Sequence, residues 1–212
     1  MKKILLIGDS IRCGYDKYVK MAFNKTAEVY YPTENCRFSG YIIRCLFDWK
    51  NELNCGDDID LVHWNTGLWD DLIMIDGKVH TPLNLYAENI DRICNIIKIL
   101  FPNAKMIFAT STPVCEELFE TYKRFNKDTE KYNATAIETV KKHGGQINDL
   151  YTLLKDVPRE YHSDMTHFYT KDATEIITNQ VVDIISKTLF IKPEPIDYDE
   201  LFGCDNKPVL GM

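Results

Sequence analysis

The chain has 212 residues, 45% of them hydrophobic, with a formal net charge of −7. That length and apolar content suit one domain with a sizeable core rather than two. The acidic balance, with no basic stripe anywhere, argues against a nucleic-acid partner, because phosphate backbones are held mainly by Lys and Arg.

Apolar runs and helical patterns alternate from start to finish. Short strand-like runs fall at residues 3–7, 28–31, 60–64, 105–109 and 146–148. Helix-length segments lie between and after them, at 11–23, 39–53, 85–100, 129–142 and 172–189. Their apolar residues recur at spacings of three and four, as in Ile90, Ile93 and Ile97. Ser39 stands where a cap is wanted, Gly144 and Gly145 where a helix should stop. The series predicts an α/β fold, a three-layer α/β/α sandwich around a five-stranded parallel sheet, flavodoxin-like in its short layout. Residues 1–190 form the expected domain. The extension 191–212, with Pro193, Pro195 and Pro208, cannot be a regular helix and is expected to pack on the domain or on a partner subunit, so a homo-oligomer is open.

The seven cysteines (Cys13, Cys36, Cys45, Cys55, Cys94, Cys115 and Cys204) are odd in number and show no Cys-x-x-Cys spacing. They read as reduced thiols, with neither disulfides nor zinc implied. The opening run MKKILLIGDS is too short in its apolar part for a signal peptide, and no stretch approaches the length needed to cross a bilayer. A cytoplasmic protein without membrane or cofactor is the expectation.

Ligands of open parallel sheets bind at the carboxyl ends of the strands, which directs attention to residues 8–10, 32–40, 65–70 and 110–114. In ILLIGDSIRCGY, Ser10 follows a strand and opens a helix, where backbone N–H groups and the helix dipole favour developing negative charge. A bland alternative makes Ser10 merely the helix cap. Near the other end, YHSDMTHFYT places Asp164 three residues before His167, so carboxylate and imidazole can hydrogen-bond on one turn. Taken singly, these are also an ordinary surface Asp and His, with Thr170 as the helix cap. In DLVHWNTGLWDD, Asn65 has an amide to offer an oxyanion, while Trp64 and Trp69, with Phe168, are candidates for pocket walls. The alternative puts both tryptophans in the core. In ENCRFSGYIIRCL, Gly40 offers a backbone N–H at a helix start.

These four blocks, in this order, resemble the SGNH (GDSL-type) hydrolase superfamily over residues 3–188 or so. The resemblance implies that Ser10 attacks an ester carbonyl, with His167 as general base and Asp164 as its orienting partner. It also implies an oxyanion hole of the Ser10 and Gly40 N–H groups and the Asn65 side chain. One departure stands out. The third block is usually Gly-x-Asn-Asp, whereas here Asn65 precedes Asp70 by five residues. The expected activity is a serine ester hydrolase acting on a small-molecule ester, with acetyl esters of carbohydrates preferred. The alternatives are a lysophospholipase or thioesterase of the same family, or a glycan-binding domain without catalysis. A receiver-type domain fits poorly, because the third strand ends in His63, Trp64 and Asn65 rather than a phosphoacceptor Asp. Asp9, His63 and His167 lack metal-ligand spacing.

Overall fold

The computed structural model describes residues 1–199. Strand β1 (Lys2–Ile7) sets the plan, because its four apolar residues are all buried and point alternately to opposite faces. Ile4 and Leu6 enter one apolar cluster, and Leu5 and Ile7 the other. The remaining strands are β2 (Ala27–Tyr30), β3 (Leu61–Trp64), β4 (Lys105–Ala109) and β5 (Gln146–Asn148). All pair in parallel, in the order β2-β1-β3-β4-β5.

Helices cover both faces. With Ile4 and Leu6 pack Ile11 and Val19 of α1 (Ser10–Ala22) and Ile177, Val181 and Ile185 of the last helix. On the other face lie α2 (Ser39–Glu52), α3 (Leu83–Leu100) and α4 (Asn126–Lys142), which bring Ile42, Trp49, Ile90, Ile93, Ala136 and Val140 against Leu5 and Ile7. The short α5 (Leu150–Leu154) and the long α6 (Lys171–Leu189) complete the chain of elements, with single 3-10 turns at Glu116–Leu118 and Arg159–Tyr161. This is the expected sandwich. Each cluster draws on several helices, so truncating a central side chain such as Leu6 to Ala should cost roughly 2–5 kcal/mol.

One boundary and one additional helix differ from the expectation for physical reasons. Helix α4 begins at Asn126 rather than at residue 129, without a side-chain cap at its start. Instead Asn126 itself holds the preceding loop, accepting from the Val114 N–H at 2.9 Å and donating to its carbonyl at 2.9 Å. Helix α5 has only five residues, too few for any periodicity to register, and is fixed by Asp149 accepting from the Thr152 N–H. At the far end, Thr170 caps α6. Gly144, with φ of +80°, takes the left-handed conformation that ends α4. Beyond α6 the chain turns back along α1. The Glu194 N–H donates to the Ala22 carbonyl at 2.7 Å, and the Tyr198 ring lies 5.1 Å from that of Tyr18. Residues 200–212 of the extension, Cys204 among them, lie outside the described residues. No helix among the described residues is long and apolar enough to cross a membrane.

Candidate active site

Because β1 and β3 are neighbours in the sheet, the segments that follow them emerge side by side. Asp9 caps α1, its carboxylate accepting from the Ile11 N–H at 2.9 Å. Ser10 therefore does not serve as the cap, and its hydroxyl is committed elsewhere. It meets His167 Nε2 at 2.8 Å. On the other side of the ring, His167 Nδ1 lies 2.7 Å from Asp164 Oδ2. The Asp164 carboxylate also receives the N–H groups of Thr166 and His167, at 2.7 and 2.8 Å, which fold the stretch into one tight turn. Partial burial works against the charged form of Asp164. The His167 hydrogen bond and charge, together with the two N–H groups, outweigh it and hold the carboxyl down at about 2. An ionised carboxylate on Nδ1 leaves Nε2 facing the serine.

Asn65 comes to the same place from β3. Its side chain is buried and its amide donates to Asp9 Oδ1 at 2.8 Å. A Cβ on Gly8 would come within 1.9 Å of the Asn65 side-chain oxygen, so glycine is what lets this amide lie against the turn carrying the serine. One of the two amide N–H bonds is spent on Asp9 and the other is not. Two further donors stand unspent nearby. At the start of α2, the Ser39 N–H goes to Asp70, and those of Tyr41 and Ile42 go to the Phe38 carbonyl. The Gly40 N–H makes no hydrogen bond among the described residues, and neither does that of Ser10.

Asp70 explains how the site dispenses with an Asp directly after Asn65. Fully buried, it accepts from the Ser39 N–H at 3.0 Å, the Ser39 hydroxyl at 2.5 Å and the Thr66 hydroxyl at 2.8 Å. Ser39 in turn receives an N–H of Asn89 at 2.9 Å. One carboxylate thus ties the residue before Gly40 to the residue after Asn65. Burial pushes the Asp70 carboxyl up from its ordinary value, and the hydroxyl and N–H donors oppose it.

Two arginines that the sequence reading passed over hold the surrounding loops. Arg12 is fully buried, pairs with Asp16, and donates to the carbonyls of Pro32 (2.8 Å) and Glu34. It pins the loop leading to Gly40 onto α1. Arg124 donates from Nε to the Leu68 carbonyl and sits 3.9 Å from Asp71, tying the segment after the first 3-10 turn to the Asn65 loop. Burial raises the Asp71 carboxyl to about 7 against the opposing Thr129 hydroxyl and Arg124 charge. A four-residue spacing in RCGYD was the signal available for Arg12 and Asp16; nothing local marks Arg124.

Of the expected pocket walls, Trp64 and Phe168 need correction. Trp64 is wholly buried and packs edge-on against Phe108 at 4.8 Å, inside the core beneath α2, α3 and α4. β3 is a central strand, and its alternation turns Trp64 away from the cleft. Phe168, 2% exposed, packs on His162 at 4.0 Å and belongs to the core under α1 and α6. Trp69 keeps an exposed part. The half-buried Phe38 stands beside Gly40 with its ring 4.6 Å from that of His80, an aromatic wall the sequence reading did not single out.

No protein-family model and no curated protein matches this chain. Solved structures do. A lipase/acylhydrolase from Enterococcus faecalis is 20% identical, with 92% of this chain and 100% of that one covered at a TM-score of 0.69. A carbohydrate acetylesterase family member from Sinorhizobium meliloti is 15% identical over 90% of this chain and 100% of its own, with a TM-score of 0.67. An acetyl xylan esterase is 13% identical over 86% and 99%, with a TM-score of 0.69. Likeness at these identities is one of architecture, and with the parallel sheet in the order 2-1-3-4-5 it leads to one conclusion: the chain has the SGNH hydrolase fold.

Proposed function

We propose that this protein is a serine ester hydrolase that removes small acyl groups, acetyl above all, from a carbohydrate through an acyl-enzyme on Ser10. The observation that carries the reading is the hydrogen-bonded series from Ser10 through His167 to Asp164, at 2.8 and 2.7 Å. A binding domain has no use for a serine engaged by an imidazole that is itself oriented by a carboxylate.

In this reading His167 Nε2 takes the Ser10 hydroxyl proton as Oγ bonds to the ester carbonyl carbon. The carbonyl electron pair moves onto oxygen, where the Ser10 and Gly40 N–H groups and the second N–H of Asn65 receive it. Collapse expels the alcohol, which takes the proton from Nε2. Water, deprotonated by the same nitrogen, then releases the acid and restores the serine. Asp164 stays ionised throughout and stabilises the imidazolium.

The substrate class draws on two supports. The acetyl xylan esterase and the carbohydrate acetylesterase family member share this fold. Phe38 and His80 offer aromatic surface beside Gly40, suited to the apolar face of a sugar ring. Trp64 lies in the core, so the expectation of a small acyl group rests on Trp69, the partly exposed tryptophan of the loop after Asn65.

The deciding experiment combines a fluorophosphonate probe with an ester series. Ser10 should be labelled, Ser10→Ala should abolish both labelling and turnover, and acetyl esters should be cleaved far faster than octanoyl esters. Unchanged turnover in Ser10→Ala would overturn the mechanism. Equal kcat/KM for octanoate would move the substrate to long acyl chains.

A further inference from the structure

Ser10 and His167 lie on segments 157 residues apart, and their hydrogen bond alone does not fix the distance between those segments. Tyr169 bridges the same gap. Its hydroxyl donates to the Ser10 carbonyl at 2.6 Å. Its ring stacks on the His167 imidazole, with centroids 4.8 Å apart and planes 18° from parallel. The ring passes so close to α1 that a Cβ on Gly14 would sit 2.8 Å from its Cε1 atom. Glycine in mid-helix is less favourable than alanine. Here it leaves room for the tyrosine. Tyr169 also packs with Phe168, Ile11 and Tyr15 between α1 and the start of α6, and its N–H donates to the Ser163 hydroxyl at 3.2 Å.

We propose that Tyr169 is a positioning residue for the reaction, a clasp that holds the acid–base turn against the serine-bearing end of α1 and keeps the imidazole plane in line with Ser10; the role rests on Ser10 and His167 being nucleophile and base. Two contacts divide the work. The hydroxyl sets how far the segments stand apart, and the ring sets the tilt of the imidazole. Neither touches substrate. Loss of the clasp should therefore slow acylation without weakening substrate binding, because displacements of about 1 Å in a reacting pair can cost on the order of 10²-fold in rate.

Tyr169→Phe, which keeps the ring and removes the hydroxyl, should lower kcat about threefold to tenfold, in keeping with one neutral hydrogen bond. Tyr169→Ala should lower it on the order of 10²-fold. KM should stay within about twofold in both, and the rate of Ser10 labelling by a fluorophosphonate should fall in parallel with kcat. Gly14→Ala supplies an independent handle, since alanine favours the helix and the change acts through the tyrosine ring. It should slow labelling of the wild-type protein, yet have little effect in a Tyr169→Ala background, where no ring remains to displace. A wild-type protein that is not labelled at Ser10 would overturn the nucleophile assignment and the clasp with it. Normal labelling of the wild type, with Tyr169→Ala and Gly14→Ala reacting at the wild-type rate, would overturn the clasp alone. So would equal Gly14→Ala effects in the two backgrounds.

Discussion

Asp164 and His167 meet within a single turn of chain, with about half of the carboxylate side chain open to solvent. The opposite side of the cleft is built otherwise. Asn65 follows β3, Gly40 lies in the first turn of α2 and Ser10 opens α1, and their arrangement rests on Asp9 and Asp70, both fully buried. The first region is local and its carboxylate half exposed, so its parts can be altered with little consequence for the rest of the fold. The second is a buried polar network, in which every unpaired group carries a desolvation penalty of about 1–3 kcal/mol. Chemistry and stability should separate in the first region and be coupled in the second.

The largest effect should come from the exposed side. Asp164→Asn preserves shape but cannot stabilise an imidazolium and presents an amide to Nδ1. Turnover should fall on the order of 10² to 10⁴-fold. The thermal midpoint should hardly move, because the side chain is half exposed. Steady-state kinetics beside a melting curve check both halves. A melting point lowered by as much as that of a core variant would break the contrast between the two regions.

Asn65→Ala tests the buried side. Removing one oxyanion donor typically costs about 10²–10³-fold in kcat with KM little changed. Here the same change also deprives Asp9 Oδ1 of a donor in a fully buried place. A stability loss of roughly 1–3 kcal/mol by denaturant titration should accompany it. Normal stability with a large loss of kcat would make Asn65 as independent of its surroundings as Asp164. Asp70→Asn sits one step further back. It touches no reacting atom, yet it loosens the tie between Ser39 and Thr66, so turnover should fall about tenfold and stability by a similar 1–3 kcal/mol. Full activity in a folded Asp70→Asn protein would show that α2 and the Asn65 loop hold their spacing without it.

What the sequence disclosed follows the same divide. β1 was legible because a strand buried on both faces is apolar throughout, and the Asp164–His167 pair because three residues of spacing is a geometric statement in itself. That the sheet is parallel and covered on both faces followed from the alternation of elements; its order did not. The fate of Trp64 was not legible. A tryptophan beside a loop looks like a pocket wall until the register of β3 against β1 and β4 turns it inward. Asp70 was visible only as a departure from the usual spacing. Its work depends on Ser39, 31 residues away, meeting it beyond the strand ends. Arg124 reaches Leu68 over 56 residues, and Tyr169 reaches Ser10 over 159. Contacts of that range leave no periodic trace in a single chain.

The remaining expected effect concerns acid, and it tests whether the buried side carries the pH sensitivity. His63 lies on β3, two residues before Asn65, and is fully buried. Asn148 donates its amide to Nε2 at 3.1 Å, and the Tyr15 hydroxyl stands 3.4 Å from Nδ1. Burial lowers this imidazole from the ordinary 6.5 to about 3. Between those values the unfolded chain binds a proton that the folded protein refuses. The stabilisation is complete above 6.5 and drains away as pH falls towards 3, at up to about 1.4 kcal/mol per pH unit. Asp71 works in the opposite sense. Its folded value of about 7 exceeds the unfolded 3.8, so its contribution is present at low pH and is lost as pH rises through 7. Absolute stability curves therefore mix the two, and a difference against His63→Gln, in which Asp71 is common, isolates the histidine. At pH 8 the variant should be less stable than the wild type, having lost a fitted buried ring. Between pH 6.5 and 4 the gap should narrow steadily, since glutamine does not titrate. Urea titrations at four or five pH values measure it. Parallel curves across that range would mean that His63 takes up its proton without disturbing the fold, and that the acid response of the protein originates on the exposed side of the cleft.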